Sequence, residues 1–220
     1  MISKEKTKMA LEKMYAMFPD AVGELEHQTP FQLLIAVILS AQATDVSVNK
    51  VTPHLFAAYP NAEQLANAPL ETITEYIRTI GLYRNKAKNI KRCAQQIMEE
   101  FDGNVPETRE ELMRLAGVGR KTANVVLGDA FNTPAIAVDT HVERVSKRLR
   151  ICKLDASVSE VEETLMRKVP KEDWVKMHHT MIFFGRYHCT ARATKCEVCP
   201  LLTMCQEGKD RMKAKQQKQR

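Results

Sequence analysis

Aromatic side chains are sparse, at 6% of the chain with a single tryptophan. Apolar residues nowhere run for the ~20 positions that a membrane span needs. The longest such run, Leu33 to Leu39, is bounded by Gln32 and Ser40, so no transmembrane helix is expected. The opening Met-Ile-Ser-Lys-Glu-Lys lacks the apolar core and small-residue cleavage site of a signal peptide, and a cytoplasmic protein is expected. No segment sustains period-two alternation between turn residues, which excludes a fold built on strands. Charge of one sign is also scarce. Of the net charge of +6, most comes from residues 206–220, which hold six basic and two acidic side chains. The body is therefore nearly neutral, and any polyanion site on it must be a local patch. Residues 212–220 are rich in Lys and Gln and read as a basic, mobile tail.

Six cysteines without an export signal do not make a disulfide framework. Cys93 shares a helical face with Ile90 and Ile97, and Cys152 follows Ile151, so both read as small buried thiols. The other four crowd near the end.

What the chain does have is helical periodicity almost throughout. Ser3 opens an amphipathic helix whose stripe is Met9, Leu11, Met14, Tyr15 and Phe18; Thr29 and Pro30 open a second that runs to Ser40 and is apolar on every face, hence central. Asp45 can cap a third, which Pro53 divides, and Asn61 a fourth. A fifth spans Leu70 to Ile80 and is closed by Gly81; a long one runs from Asn85 to Phe101. Thr108 and Glu111 form a capping box, Gly117-Val118-Gly119 interrupts the pattern, and the helix resumes from Arg120 to Phe131. Helices follow near Thr140–Arg150, Ser157–Lys168, with Ser157 and Glu160 as a second capping box, and Lys171–Phe184. Trp174 and the Tyr15 and Phe18 pair read as core, and His141 as a packed histidine without a chemical role. The fold class is all-α.

Three features carry chemistry. The amides of Gly117, Val118 and Gly119 lie at the start of a helix, where unpaired N–H groups and the helix dipole favour an anion such as phosphate. An ordinary glycine-containing turn has the same signature. Lys121 follows directly; it is either a phosphate contact or a nucleophile. The second role needs an unprotonated amine, which Arg120, the helix N-terminus and desolvation under a bound ligand all favour. Finally, Cys189, Cys196, Cys199 and Cys205 form C-x6-C-x2-C-x5-C. Four thiolates in one loop can hold zinc or an iron–sulfur cluster, and spacing alone leaves both open.

Leu115 to Val126 with Val138-Asp-Thr-His141, Leu39 to Asp45, Thr79 to Tyr83 and the terminal cysteines together resemble the helix-hairpin-helix DNA glycosylases, in particular the endonuclease III family. The resemblance covers nearly the whole chain. It implies two helical lobes with a DNA-binding cleft: residues 22–132 form a six-helix lobe, residues 1–21 with 133–211 a cluster lobe, and 212–220 the tail. It assigns the four cysteines to a structural [4Fe–4S] cluster whose loop presents Arg192 and Lys195 to phosphates. Lys121 would attack C1′ of the deoxyribose through a Schiff base, and Asp139, which also reads as a helix cap, would stay ionised. Gln42 and Leu82 would fill the gap left by a flipped base, although residue type alone reads them as helix-ending positions. Asp45 is a cap or a pocket wall, and Gly117, Val118, Gly119 and Arg120 would hold the backbone.

The implied activity is that of a monomeric DNA glycosylase and abasic-site lyase acting on oxidised pyrimidines in damaged double-stranded DNA. Rival readings are an adenine-removing mismatch glycosylase, which usually lacks lysine at position 121, and a non-catalytic metal-containing DNA-binding module. Two residues depart from the pattern. Ala116 stands where the family usually has proline, which loosens the hairpin, and Pro53 is unusual within its helix.

Overall fold

In the computed structural model, which describes residues 1–217, all regular structure among the described residues is helical. No helix there is long and apolar enough to cross a membrane. The chain divides into two compact units, one of Gly23–Ala135 and one of Met1–Val22 with the chain from Ile136 onward.

Helix α1 (Lys4–Met17) belongs to the second unit and is capped by Ser3, whose hydroxyl accepts the Lys6 N–H. The first unit is built on α2 (Pro30–Ser40). Thr29 caps it, Pro30 occupies its first turn, and every residue from Phe31 to Leu39 is buried. A helix without a polar face must be surrounded, and α2 forms the centre of this unit's core. Around it lie α3 (Asp45–Asn49), α4 (Thr52–Ala58), α5 (Ala62–Asn67), α6 (Leu70–Ile77), α7 (Tyr83–Glu100), α8 (Arg109–Leu112) and α9 (Arg120–Phe131). α9 and α7 pack directly on α2, while α5 and α6 pack on α7. Pro53 does divide the run between α3 and α4, sitting in the first turn of α4 where its missing N–H is harmless.

Three local expectations are corrected. The cap of α3 is Thr44, whose Oγ1 accepts the Ser47 N–H at 3.1 Å. Asp45 is instead the first helical residue, where its charge suits the helix N-terminus. Gly81 does not close the preceding helix: α6 ends at Ile77, and the left-handed residue is Leu82 (φ 60°, ψ 26°), from which α7 starts. The box at Thr108 is half made. Its Oγ1 accepts the Glu111 N–H at 3.3 Å, but the Glu111 carboxylate takes the Thr108 hydroxyl rather than a backbone N–H.

The second unit adds α10 (Thr140–Arg148), α11 (Val158–Lys168), α12 (Trp174–Phe183) and α13 (Gln206–Gln217). The Ser157–Glu160 capping box on α11 is complete. The single helix expected over 171–184 is a 3-10 turn, then α12, then a π-helical turn over Phe184–His188. Phe184, Met177, Met181 and Val145 are fully buried in this unit's core, with Trp174, Tyr15 and Phe18 half-buried around it. Cys93 and Cys152 are buried, and burial pushes the Cys93 thiol up to about 12.

The tail is not a loose end through Gln217. Residues 212–217 continue α13, which is held by Glu207–Arg211 and Gln206–Asp210 pairs one turn apart and by Lys215 on Glu197 at 3.1 Å. Residues 218–220 lie outside the described residues.

Candidate functional site

In the first unit three loops gather around α2 and α7. The loop between α8 and α9 carries Gly117 at φ +80°; a Cβ there would stand 3.0 Å from Ile38 Cγ2 and 3.1 Å from Asn89 Cβ. The turn therefore lies tightly against α2 and α7, in a conformation only glycine adopts cheaply. Gln42 comes one turn beyond Ile38 and has φ 54°. Leu82 lies seven residues before Asn89, about 10 Å along the axis of α7. The Gln42 and Leu82 loops touch, since a Cβ on Gly81 would lie 4.0 Å from the Gln42 carbonyl oxygen. Both residues are exposed, Leu82 by 58%. A left-handed conformation, as at Leu82, is unfavourable for a residue with a Cβ.

The hairpin amides are not equivalent. Val118 is buried and its N–H donates to Leu115 O at 3.1 Å, closing the turn, so it is already used. Gly117 and Gly119 are exposed and their amides have no acceptor among the described residues. A Cβ on Gly119 would meet nothing within 4 Å, and its φ of −96° suits any residue. Neither packing nor strain within the chain requires glycine there. Arg120 and Lys121 are exposed in the first turn of α9.

Ala116 does not leave the hairpin loose. Its N–H donates to Gln96 Oε1 at 2.8 Å, and Gln96 Nε2 donates to Arg114 O at 3.1 Å. Gln96 gave no sign of this in the sequence, because it lies twenty residues away and pairs through tertiary contact.

In the second unit Asp139 caps α10. One carboxylate oxygen, Oδ1, accepts the His141 and Val142 N–H groups, both at 2.8 Å, leaving the other for further interactions. His141 is half-buried, and its Nδ1 faces Arg144 Nη2 at 3.1 Å. Burial lowers its pKa, opposed by Asp139 and reinforced by Arg144 and Arg186.

The four cysteines line one cavity, partly open to solvent, together with Phe184, His188 and Arg148. Donors reach their sulfurs: Gly208 N–H is 3.3 Å from Cys205 Sγ, and Arg148 Nη1 is 3.3 Å from Cys189 Sγ. Sulfur accepts weakly as a thiol and well as a thiolate, so this donor set suits metal-bound sulfur. A single tetrahedral zinc would need its sulfurs within about 3.8 Å of one another, from Zn–S bonds of ≈ 2.3 Å. Among the described residues no three His, Cys, Asp or Glu converge closely enough for one ion. The four thiols nevertheless line one space, and a set of four thiols is chemically able to hold zinc or an iron–sulfur cluster. Burial raises the Cys199 and Cys205 pKa values, and the neighbouring thiols add to it.

Two arginines missed by the sequence reading build this loop. Arg148 donates to Thr190 O at 2.7 Å and Ala191 O at 3.0 Å, and Arg144 to Gly185 O at 2.7 Å. Their spacing of one turn on α10 places them on one face, a visible signal, but their partners lie more than forty residues on. Arg192 and Lys195 are exposed on the loop, and the Lys195 N–H donates to His188 O at 3.3 Å.

An all-helical chain with a glycine hairpin leading into a basic helix defines a class. The chain belongs to the HhH-GPD superfamily of base excision DNA repair proteins, whose family model matches residues 35–171. Within it, the chain falls in the endonuclease III family. It is 56% identical over 213 residues to endonuclease III of Bacillus subtilis strain 168, covering 97% of each chain, and 44% identical over 205 residues to that of Escherichia coli K12, covering 93% of this chain and 97% of the other. Among solved structures it is similar to a trapped endonuclease III–DNA covalent intermediate, an estranged-adenine complex. The TM-score is 0.94 at 57% identity, covering 96% of this chain and all of the other.

Proposed function

We propose that this DNA glycosylase and abasic-site lyase removes oxidised pyrimidines from duplex DNA and cuts the strand through a covalent bond to Lys121. The observation that carries this reading is the position of Lys121. Its amine is exposed in the first turn of α9, directly after a hairpin that offers the free amides of Gly117 and Gly119. Amides fix a phosphate without reading sequence, and the amine beside them is held at a fixed offset from the backbone. Trapping of a relative 57% identical to this chain as a covalent intermediate on DNA supports the same chemistry here.

The lone pair of Lys121 Nζ attacks C1′ while the C1′–N bond to the damaged base breaks, and the base leaves with a proton. Loss of the amine proton, with breakage of C1′–O4′ and protonation of O4′, opens the sugar and gives an imine, which withdraws electrons from C2′. Removal of a C2′ proton then expels the 3′ oxygen, breaking the strand 3′ to the lesion. The Asp139 carboxylate opposes the positive charge developing on the sugar and assists proton transfer. Gln42 and Leu82 enter the stack in place of the extruded nucleotide, as a base enzyme needs. Asp45 lines the approach to the base, and Arg120, Arg192 and Lys195 add backbone contacts; Val118 contributes by shaping the turn.

Cys189, Cys196, Cys199 and Cys205 hold a [4Fe–4S] cluster, which supplies cross-links that shape the loop bearing Arg192 and Lys195. The chain acts as a monomer in the cytoplasm.

Reductive trapping tests the central claim, because borohydride captures an imine as a stable adduct. Wild type with damaged duplex forms a protein–DNA adduct and Lys121→Ala forms none. An adduct with Lys121→Ala removes Lys121 as nucleophile; no adduct with wild type ends the lyase mechanism. Iron and sulfide in near-equal amounts support the cluster, and one zinc per chain overturns it.

A further inference from the structure

A buried polar atom in the cysteine cavity has no partner inside the chain. His188 is 6% exposed, ends the π-helical turn and lines the same cavity as the four cysteines. Its Nε2 is fully buried without a hydrogen-bond partner. The residue is not free to turn away. Its ring lies 5.1 Å from that of the buried Phe184, its carbonyl accepts the Lys195 N–H, and the next residue's N–H is tied to Phe184 O at 2.7 Å.

A buried ring nitrogen without a partner is unfavourable, and native structures seldom keep one without a reason. The cavity names its partner by chemistry. Cys189 Sγ and Cys205 Sγ already receive donors from Arg148 and Gly208, and the buried imidazole of His188, a residue that lines the same cavity, offers a third in its Nε2–H. We propose that His188 donates its Nε2–H to a sulfur of the cluster held by the four cysteines and so raises the cluster's reduction potential. The inference rests on the cluster assigned above. Each added electron increases negative charge on the sulfurs, so a donor to sulfur stabilises the reduced form more than the oxidised one. His188 is thus a positioning and tuning residue, with no role in bond breaking at the sugar.

The test begins with iron and sulfide content of the purified full chain, then measures the cluster's potential by protein-film voltammetry on wild type, His188→Leu and His188→Gln. With the cluster loaded in all three, His188→Leu should favour the oxidised form about tenfold, a shift of about 59 mV to more negative potential for one electron. His188→Gln, which keeps an N–H donor, should shift less. Equal potentials in all three loaded proteins overturn the role of His188 and leave the cluster standing, whereas wild type without iron overturns the cluster itself. Should His188→Leu fail to assemble, wild type labelled with ¹⁵N-histidine decides by pulsed electron paramagnetic resonance. One ring nitrogen should couple to the paramagnetic cluster through a proton that exchanges in D₂O, and no such coupling refutes the hydrogen bond.

Discussion

The side-chain amide of Gln96 grips the backbone at Ala116: it takes the Ala116 N–H at 2.8 Å and gives its own N–H to Arg114 O at 3.1 Å. One side chain on α7 thus braces the hairpin through the position where a proline ring is usual in the family.

Removing that brace should show as coupling. Gln96→Leu deletes both bonds and should cost about 1 kcal/mol. Ala116→Pro deletes the N–H from the other end, so the double variant should lose less than the sum, by about 0.5–1 kcal/mol. Urea unfolding of the four proteins measures this; strict additivity would show that the two groups do not bond in solution.

Leu82 should separate stability from function. Leu82→Gly relieves a left-handed conformation that is unfavourable by roughly 1–2 kcal/mol for a residue with a Cβ, and should raise the melting temperature. Leu82→Ala keeps the strain. Both should slow single-turnover excision of paired lesions far more than strand cutting at an abasic site, which opens easily. An equal penalty on every duplex would refute insertion of the side chain.

Asp139 caps α10, and substitutions can divide that role from the catalytic one proposed for it. Asp139→Asn retains an oxygen for the His141 and Val142 amides and should melt close to wild type while losing most turnover. Asp139→Ala loses the cap as well, at about 1 kcal/mol. Single-turnover rates beside thermal melts give both readings, and near-normal turnover in Asp139→Asn would make the carboxylate structural only.

The two hairpin glycines should fail differently. Gly117→Ala meets Ile38 and Asn89 at a positive φ and should destabilise the fold by about 1–3 kcal/mol. Gly119→Ala should fold normally, its Cβ projecting into open space, and weaken binding to damaged and undamaged duplexes alike, since the contact is to phosphate. Binding titrations at fixed salt check this, and unchanged affinity for Gly119→Ala would place the backbone contact elsewhere.

Helix existence was legible wherever apolar spacing, a cap residue and a breaker agreed. The Thr29–Pro30 start of α2 and the complete Ser157–Glu160 box are such cases. Boundaries failed where two neighbours competed for one job. Thr44 and Asp45 can each cap a helix, and which hydroxyl or carboxylate reaches the N–H depends on the approach of the chain. Gly81 and Leu82 compete likewise. Propensity assigns the left-handed position to glycine, yet Leu82 occupies it. The α13 helix was hidden because Lys and Gln composition says nothing of Lys215 meeting Glu197.

Residue type, spacing and resemblance single out Lys121, Asp139 and the four cysteines as candidates, because an amine, a carboxylate and a set of thiols are chemical identities written in the chain. The use of individual donors and acceptors was not written there. That the Val118 amide is spent on Leu115, that Gln96 braces Ala116, that Arg148 holds the cysteine loop and that His188 is left with an unpaired nitrogen all follow from groups three to more than forty residues apart meeting in the folded chain. A hydrogen bond needs a partner within about 3 Å, and which residues come that close is decided by packing.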